Sequence, residues 1–281
     1  GRRVYFEHIP AQDGKPTAVI FNGLFVPASD FVPFKNEFQA RADGEGVLIL
    51  LDGVPIIGRM NGEIDLSQIN LANIQRIELI EGPLSVAYGS HAIAGTINLI
   101  SKKNLKNGQE IQVNSYYETV GNYNLDGRAT VNFNKHKVSI YGGRNYFDGW
   151  SAGEDLTVLP KSKVADSGRF QTWKPKEQYT LGLDYTYQRK NTRFSPYAHF
   201  FKEKISNKGL PRAPYYNQAF DDFYFTNRHD QGMSFQTKIK TRFKIQGVFS
   251  HNYYQRIKNT YLKDLTDLSQ QLTLNNSDQD T

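Results

Sequence analysis

The chain has 281 residues, contains no Cys and carries a formal net charge of +6 at pH 7. The lack of Cys excludes disulfide frameworks, thiolate metal sites and Cys nucleophiles, and no apolar run approaches the roughly 20 residues of a membrane-spanning helix. The positive charges are scattered and no nucleic-acid-binding motif accompanies them, so we expect no nucleic-acid partner.

The first hundred residues combine short apolar strands with turns. "VLILLDGVPI" predicts a buried strand, a tight turn at Asp52-Gly53 and a return strand. "DLSQINLANIQRIELI" starts with the helix-capping residue type Asp65 and changes to strand alternation. A one-turn helix between Pro83 and Gly89 is predicted next, followed by the strand "AGTINLIS". The pattern indicates a small α+β module.

From residue 109 onward the apolar period changes to two. In "NLDGRATVNF", "YTLGLDYTYQ" and "GMSFQTKIKT", apolar residues occupy one face and polar residues the other. Membrane β-barrels show this pattern in strands of about 10 residues, and so does a soluble β-sandwich with one wet face. We predict strands near residues 110–119, 124–133, 137–146, 178–188, 192–204, 231–241 and 243–257.

The lengths of the connections favour the barrel. Only "NKH", "RKN" and "R" separate the second and third, fourth and fifth, and sixth and seventh strands. Long segments are predicted at Phe147–Glu177, at Ile205–Asp230 and from near Lys258. Short turns at every second connection are typical of outer-membrane barrels. Tyr and Phe near the strand ends fit the aromatic girdles of such barrels.

Residues 46–103 resemble the plug domain of TonB-dependent outer-membrane receptors. The similarity is strongest in "IQRIELIEGP" and "AYGSHAIAGTINLISKK", where order, spacing and residue types agree. The resemblance implies a mostly β protein of the bacterial outer membrane, with a plug filling a 22-stranded barrel. We expect a plug domain at residues 1–105 and the N-terminal portion of the barrel, about seven strands, at 106–281. The segment that contacts TonB, the start of the plug and most of the barrel are expected outside this chain.

The resemblance also implies functional residues on the plug. Polar contacts between plug and barrel wall are expected from Arg76, Glu78 and Glu81, which otherwise would be solvated surface charges. The apices of the plug, in the loops Phe25–Glu45 and Gly58–Gly62, are expected to contact the ligand. The candidate residues there are Arg41, Arg59, Met60 and Asn61.

The long outer loops provide a second group of expected ligand contacts. Their candidates are Trp150, Trp173, Arg212, Tyr215, Tyr216 and His229. Tryptophans among lysines in the loop 147–177 suit an aromatic anion such as a catecholate through stacking and cation–π contacts. Phosphates of lipopolysaccharide would attract the same lysines.

The function implied is TonB-dependent import of a scarce nutrient, a ferric siderophore first and haem, cobalamin or a glycan next. The expected partners are TonB, outer-membrane lipid and lipopolysaccharide, and a small-molecule metal chelate or similar nutrient. The alternative is a secreted or surface β-sandwich that binds glycans or mediates adhesion. No catalytic residue, metal site or cofactor is predicted, because the sequence has no nucleophile elbow, metal-ligand spacing or phosphate loop.

Overall fold

The computed structural model of the chain describes residues 5–8, 19–22, 47–60, 63–64, 68–69, 73–80, 95–102, 108–151, 169, 171–239 and 243–280. Most of these residues lie in strands or turns. No helix among them is long and apolar enough to cross a membrane. The helical pieces predicted at Asp65 and at Pro83–Gly89, and the loop Phe25–Glu45, lie outside the described residues.

Short strands form an N-terminal unit. Within the described residues they are β1 Tyr5–His8, β2 Val19–Asn22, β3 Val47–Leu51, β4 Val54–Pro55, β5 Arg59–Met60, β6 Glu63–Ile64, β7 Ile74–Ile80 and β8 Gly95–Ser101. The main sheet has the order β4-β3-β8-β7, with β3 parallel to β8 and the other neighbours antiparallel. The pairs β1-β2 and β5-β6 are separate from it.

A two-residue turn joins β3 to β4. Asp52 has a φ of 53° and Gly53 a φ of 86°. Positive φ at both central residues is the geometry of a type I′ hairpin turn, whose twist matches that of the flanking strands. Leu51 pairs with Val54 across the turn. The predicted strand, turn and return strand are therefore confirmed.

The core of the N-terminal unit lies on its main sheet. Five apolar side chains form one buried cluster: Ile49, Ile56, Ile74, Ile97 and Leu99. Full burial of each such side chain contributes about 1.5–3 kcal/mol. The alternate residues of β3, Leu48 and Leu50, are also buried. Since β3 is covered on both faces, its unbroken apolar run "VLILL" has a physical reason.

The rest of the described chain forms one antiparallel sheet, called the wall below. Its strands are β9 Gly108–Glu118, β10 Asn122–Phe133, β11 His136–Phe147, β12 Lys176–Arg189, β13 Thr192–Lys208, β14 Gln218–Ile239, β15 Phe243–Asp264 and β16 Gln270–Asp280. Each strand pairs with the next in the chain, from β9 at one edge to β16 at the other. The strands thus form a single meander, and the alternative of two facing sheets in a sandwich is wrong.

The wall has eight strands in the described residues, one more than the sequence predicts, and the last strands are longer. The long segment predicted at Ile205–Asp230 is a loop only over 209–217, because β13 and β14 extend into it. The segment predicted from near Lys258 is the end of β15, a turn and β16. Charged residues in these extended strands pair across the ladder, as Lys258 does with Asp222 at 3.0 Å.

Connections of different length lie at the two ends of the wall. Residues 134–135, 190–191 and 240–242 make the short connections at one end. The other end has 119–121, 148–175, 209–217 and 265–269. Short turns therefore still fall at every second connection, as predicted, although the loop after β13 is shorter than expected.

The two faces of the wall reverse the burial pattern of a water-soluble protein. Ile111, Leu125 and Leu181 are 79%, 57% and 51% exposed on one face. Arg128 and Thr130, on the opposite face of β10 from Leu125, are 7% and 1% exposed. A sheet with lipid outside and a polar lumen inside requires this arrangement. We call the apolar face the outer face and the polar face the inner face.

Candidate functional site

The inner face of the wall contacts the N-terminal unit through polar side chains. Seven consecutive strands each contribute one such side chain: Gln112, Arg128, Lys137, Asp184, Glu203, Arg228 and Asn252. Because strands β9 to β15 all reach the same unit, the sheet curves around it. The interface between the unit and the wall is the candidate functional site.

Gln68 forms hydrogen bonds with the wall through both its side chain and its backbone carbonyl. Its side-chain amide donates to Glu203 Oε1 at 3.0 Å, and its backbone carbonyl accepts a hydrogen bond from Arg228 Nη2 at 3.2 Å. Glu203, which is 1% exposed, also accepts hydrogen bonds from Gln178 and Thr226. A buried carboxylate requires such donors because it has lost its hydration.

A second contact joins Asn73, next to β7, to Asp184 of β12. The Asn73 amide donates to Asp184 Oδ2 at 3.1 Å, and Asp184 Oδ1 lies 2.8 Å from His199 Nε2. Asn73 is 3% exposed. The carboxylate therefore connects the N-terminal unit to two neighbouring strands of the wall.

Lys102, which follows β8 directly, joins the N-terminal unit to the wall through hydrogen bonds. Its carbonyl accepts hydrogen bonds from Arg128 Nη2 and Lys137 Nζ, each at 3.1 Å, and its ammonium donates to Gln112 at 3.2 Å. Burial lowers the pKa of Lys102 below its ordinary value, and the nearby Arg128 charge lowers it further. Three cationic side chains thus converge where the unit leads into β9.

Inside the unit, Asp52 ties the turn after β3 to the end of β8. Its carboxylate accepts from Ser101 Oγ at 2.5 Å and from Ser101 N at 3.1 Å. The next amide, Gly53 N, donates to Asn98 Oδ1 at 2.9 Å. Three hydrogen bonds therefore join the turn to the strand that leads to Lys102.

A cavity of about 510 Å³ lies between the β3–β4 hairpin and the inner face. Wall residues that line it include Lys137, Tyr197 and Asn252, and the hairpin contributes Asp52 and Ile56. Nearby, Gly58 has a φ of 107°, and a Cβ there would overlap the ring of Tyr254, which is 2% exposed. The N-terminal unit therefore contacts the wall closely at Gly58, next to the cavity.

A family model described as the TonB-dependent Receptor Plug Domain matches residues 17–96. The chain carries the plug and barrel strands of a TonB-dependent receptor. The N-terminal unit is the plug, and the wall is part of the barrel. The location of the receptor is the bacterial outer membrane.

Solved structures are similar to this chain at low sequence identity. The copper transporter OprC is 14% identical with a TM-score of 0.53, over 98% of this chain and 36% of that one. A mutant of the ferric enterobactin receptor PfeA from Pseudomonas aeruginosa is 13% identical with a TM-score of 0.46, over 80% and 39%. The siderophore receptor PirA from Acinetobacter baumannii is 16% identical with a TM-score of 0.44, over 80% and 38%. The chain thus spans less than two fifths of the length of these structures.

The expected plug residues lie partly outside the described chain. Arg76 and Glu78 pair with each other on β7 at 2.7 Å, and Glu78 also accepts a hydrogen bond from Asn98 at 3.3 Å. Their contact with the wall stays a prediction, and Glu81 is outside the described residues. The polar plug contacts that the structure does show come from Gln68, Asn73, Lys102 and the carbonyl of Pro55.

Of the four expected apical residues, two are placed. Arg59 and Met60 form β5, which pairs with β6 in a two-stranded ribbon. Arg41 and Asn61 lie outside the described residues. A ligand contact by any of the four stays a prediction.

The two expected tryptophans meet at the base of the loop 148–175. Trp150 and Trp173 exchange two backbone hydrogen bonds of 2.9 and 2.8 Å, and their ring centroids are 4.8 Å apart. Both are exposed, by 41% and 50%. Arg169, further along this loop, forms a buried ion pair with Asp221 of β14. The loop is therefore closed at its base and attached to the long strands.

The loop 209–217 carries three of the expected ligand contacts. Arg212 lies over the Phe220 ring, 4.6 Å from its centroid, and its carbonyl accepts a hydrogen bond from Tyr216 N. Tyr215 is 80% exposed. These residues are presented at the end of the β13–β14 hairpin.

The expected outer-loop position of His229 is wrong. His229 lies within β14, where it pairs with Phe200 and Tyr253 of the neighbouring strands. Its ring meets Phe200 edge-on at 5.3 Å on the outer face of the wall. Because β14 starts at Gln218, earlier than the strand predicted near residues 231–241, this position belongs to the strand.

Gln68 and Asn73 are contact residues that the sequence pattern did not predict. Both are polar and lie in "DLSQINLANIQ", directly before an apolar strand. Their burial depends on which wall residue lies opposite, which no local pattern contains. The one available signal was the excess of Asn and Gln in a segment that the resemblance places inside a lumen.

Proposed function

We propose that the receptor imports a small nutrient across the outer membrane with energy delivered through TonB. The plug is the strongest support for this proposal. Residues 17–96 match the plug-domain family model, and seven strands of the wall form hydrogen bonds with this unit. A passive porin keeps its lumen open, whereas here the plug occupies it. Transport therefore requires the plug to move.

The polar character of the interface suits such movement. A hydrogen bond between plug and wall contributes about 0.5–1.5 kcal/mol net, because water replaces the partner when it breaks. The buried apolar cluster of Ile49 and Ile97 lies within the plug and does not take part in these contacts. A pull on the plug can therefore break polar contacts in sequence without exposing the core.

The cavity supports a route beside the plug. Its volume of about 510 Å³ lies within the range of small-molecule sites, roughly 300–1,000 Å³. Asp52 and Tyr197 are among the polar groups that line it. A displaced β3–β4 hairpin would widen this space.

The substrate proposed is a ferric siderophore with aromatic, anionic groups. Arg212 offers a charge for carboxylate or catecholate oxygens, and the exposed Tyr215 ring offers a stacking surface. Both lie at the end of the hairpin that faces away from the short turns. Haem, cobalamin and glycans are the competing substrates.

The test is uptake by cells that express the complete receptor in a strain lacking its other iron receptors. We expect uptake of radioactive iron as a ferric catecholate, lost when TonB is deleted. Arg212→Ala with Tyr215→Ala should raise the half-saturating concentration about thirtyfold, since each of the two contacts contributes roughly 1 kcal/mol. Lys135→Ala, in a short turn at the opposite end, is the control. Uptake that persists without TonB would contradict active import. Receptor-dependent growth on haem, cobalamin or a glycan, without uptake of the ferric catecholate, would show that the substrate is that other nutrient.

A further inference from the structure

The cavity between the β3–β4 hairpin and the wall extends toward the end of the wall that carries the short turns. Its inner-face lining residues form rows that follow the pairing of neighbouring strands. The rows farther from the short turns carry the carboxylates of Asp184 and Asp230. The rows nearer the short turns carry the cations Lys137 and Arg193, and no carboxylate among the described lining residues. The cavity therefore has a cationic end.

Each carboxylate that lines the cavity already has partners of its own. The partners of Asp52, Asp184 and Asp230 are, in that order, Ser101, Asn73 with His199, and Arg228. Glu110 of β9 is also on the inner face, but it is two strands away from Lys137 and does not line the cavity. The carboxylates around the cavity are therefore engaged elsewhere.

The two cations donate only to neutral oxygens within the described residues. Arg193 Nε donates to Ser195 Oγ at 3.3 Å, and Lys137 Nζ donates to the Lys102 carbonyl at 3.1 Å. The residues opposite them across the ladders are neutral as well: Asn132 and Thr186 for Lys137, Gln188 and Gln236 for Arg193. Both cations are half-buried. Because a cation that loses hydration is stabilised by an opposite charge, an anion in the cavity would stabilise both.

We propose that this cationic end of the cavity is an anion-binding subsite, which takes a carboxylate or catecholate group of the nutrient before it leaves the lumen. The nutrient as the source of that group rests on the proposed import function. Lys137 and Arg193 supply the charge, and the hydroxyls of Thr186, Ser195 and Ser234 line the same end. The subsite is distinct from the contacts proposed in the loop 209–217, which lies at the opposite end of the wall.

The test measures binding of two small probes to the complete receptor in non-ionic detergent, by equilibrium dialysis. The probes are 2,3-dihydroxybenzoate, an aromatic carboxylate, and its neutral amide, 2,3-dihydroxybenzamide. The parent protein carries Arg212→Ala with Tyr215→Ala, so that the loop contacts do not contribute. We expect the parent to bind the anion about tenfold more tightly than the amide, because hydrogen bonds between ionised groups are the stronger ones. Arg193→Gln should remove most of this preference. Its hydrogen bond to Ser195 lies within the wall, so the change leaves the plug contacts in place.

Two variants serve as controls. Arg189→Gln makes the same substitution at an exposed position of β12 near the same short turn, outside the cavity lining, and should bind both probes as the parent does. Arg193→Lys keeps the charge and should retain the preference for the anion. Equal binding of the two probes by the parent, or an unchanged preference in Arg193→Gln, would overturn the subsite.

Uptake by cells separates this proposal from the import function on which it rests. If wild-type cells import no ferric catecholate while the purified parent still prefers the anion, the proposed substrate is contradicted and the anion-binding subsite is supported. If import is intact but the preference is absent, the subsite alone is overturned.

Discussion

Glu203 shows how single residues connect plug and wall. It is almost fully buried, and its two oxygens accept hydrogen bonds from Gln68, Gln178 and Thr226. A carboxylate in this position is stable only while its donors remain, because leaving a buried charged group unsatisfied costs more than the net gain of one bond. Of these three donors, Gln68 is the one that belongs to the plug.

Gln68→Ala should loosen the plug without harming the barrel. The substitution removes one donor from Glu203, at a cost of about 1–3 kcal/mol, which corresponds to roughly five- to 150-fold faster local opening. Hydrogen exchange of the β7 and β8 amides would measure this change. Gln178→Ala removes a donor from the same carboxylate but lies in the wall, so plug amides should keep their rates. Faster plug exchange in both variants would show that the effect is not specific to the plug contact.

Lys102 makes the stability of the plug junction depend on pH. Its folded pKa is lowered, chiefly by burial, from an unfolded value of 10.5. Between the two values the unfolded state binds more protons, so the free energy of unfolding rises with pH in that window.

Lys102→Met should abolish this contribution, while the backbone carbonyl keeps its bonds to Arg128 and Lys137. Melting temperatures at pH 8 and pH 10 would measure it, since other titrating groups are common to both proteins. From pH 8 to pH 10, we expect the melting temperature of the wild type to rise more, or to fall less, than that of the variant. An equal change in the two proteins would contradict the role assigned to Lys102.

At the scale of elements, local pattern predicted the faces of the wall well. Apolar Leu125 and Val131 of β10 and Leu181 of β12 are on the outer face, as alternation indicated, because side chains in a strand point to opposite faces in turn. The ends of β14 and β15 were not predictable in this way. These strands have 22 residues each, more than the roughly 10 needed to cross a bilayer. Beyond the bilayer, ion pairs between strands replace apolar burial, and that pairing is non-local.

Leu183→Arg and Ser234→Arg test which face of these strands meets lipid. Leu183 is 47% exposed on the outer face of β12, and Ser234 of β14 lines the cavity. An arginine at the bilayer midplane costs about 2–4 kcal/mol, whereas one in a polar lumen costs little. Guanidinium unfolding of the complete receptor in phosphatidylcholine vesicles would show a lower midpoint for Leu183→Arg only. Similar midpoints for both variants would mean that the outer face is in water.

At the scale of the whole molecule, plug and wall are two units joined by polar contacts. The plug has its own apolar core and an internal hydrogen bond from Ser101 to Asp52. The wall is held by its ladder of backbone hydrogen bonds. The resemblance of residues 46–103 predicted both units, because plug motifs are continuous in the sequence. It did not predict the contacts between them, since Gln68 and Asn73 meet partners more than a hundred residues away.

If import requires the plug to move, a covalent link across that boundary should stop it. Asn73→Cys with Asp184→Cys joins plug to wall through two short side chains already in contact, in a chain that has no other Cys. Thr130→Cys with Ser139→Cys is the matched control, because these side chains are 2.9 Å apart but both belong to the wall. We expect oxidation to abolish TonB-dependent uptake in the first variant and a reductant to restore it, while the control transports in both states. Mass spectrometry of tryptic peptides verifies each disulfide. Normal uptake by a fully cross-linked Asn73–Asp184 variant would mean that cargo passes a stationary plug, through the space beside the β3–β4 hairpin.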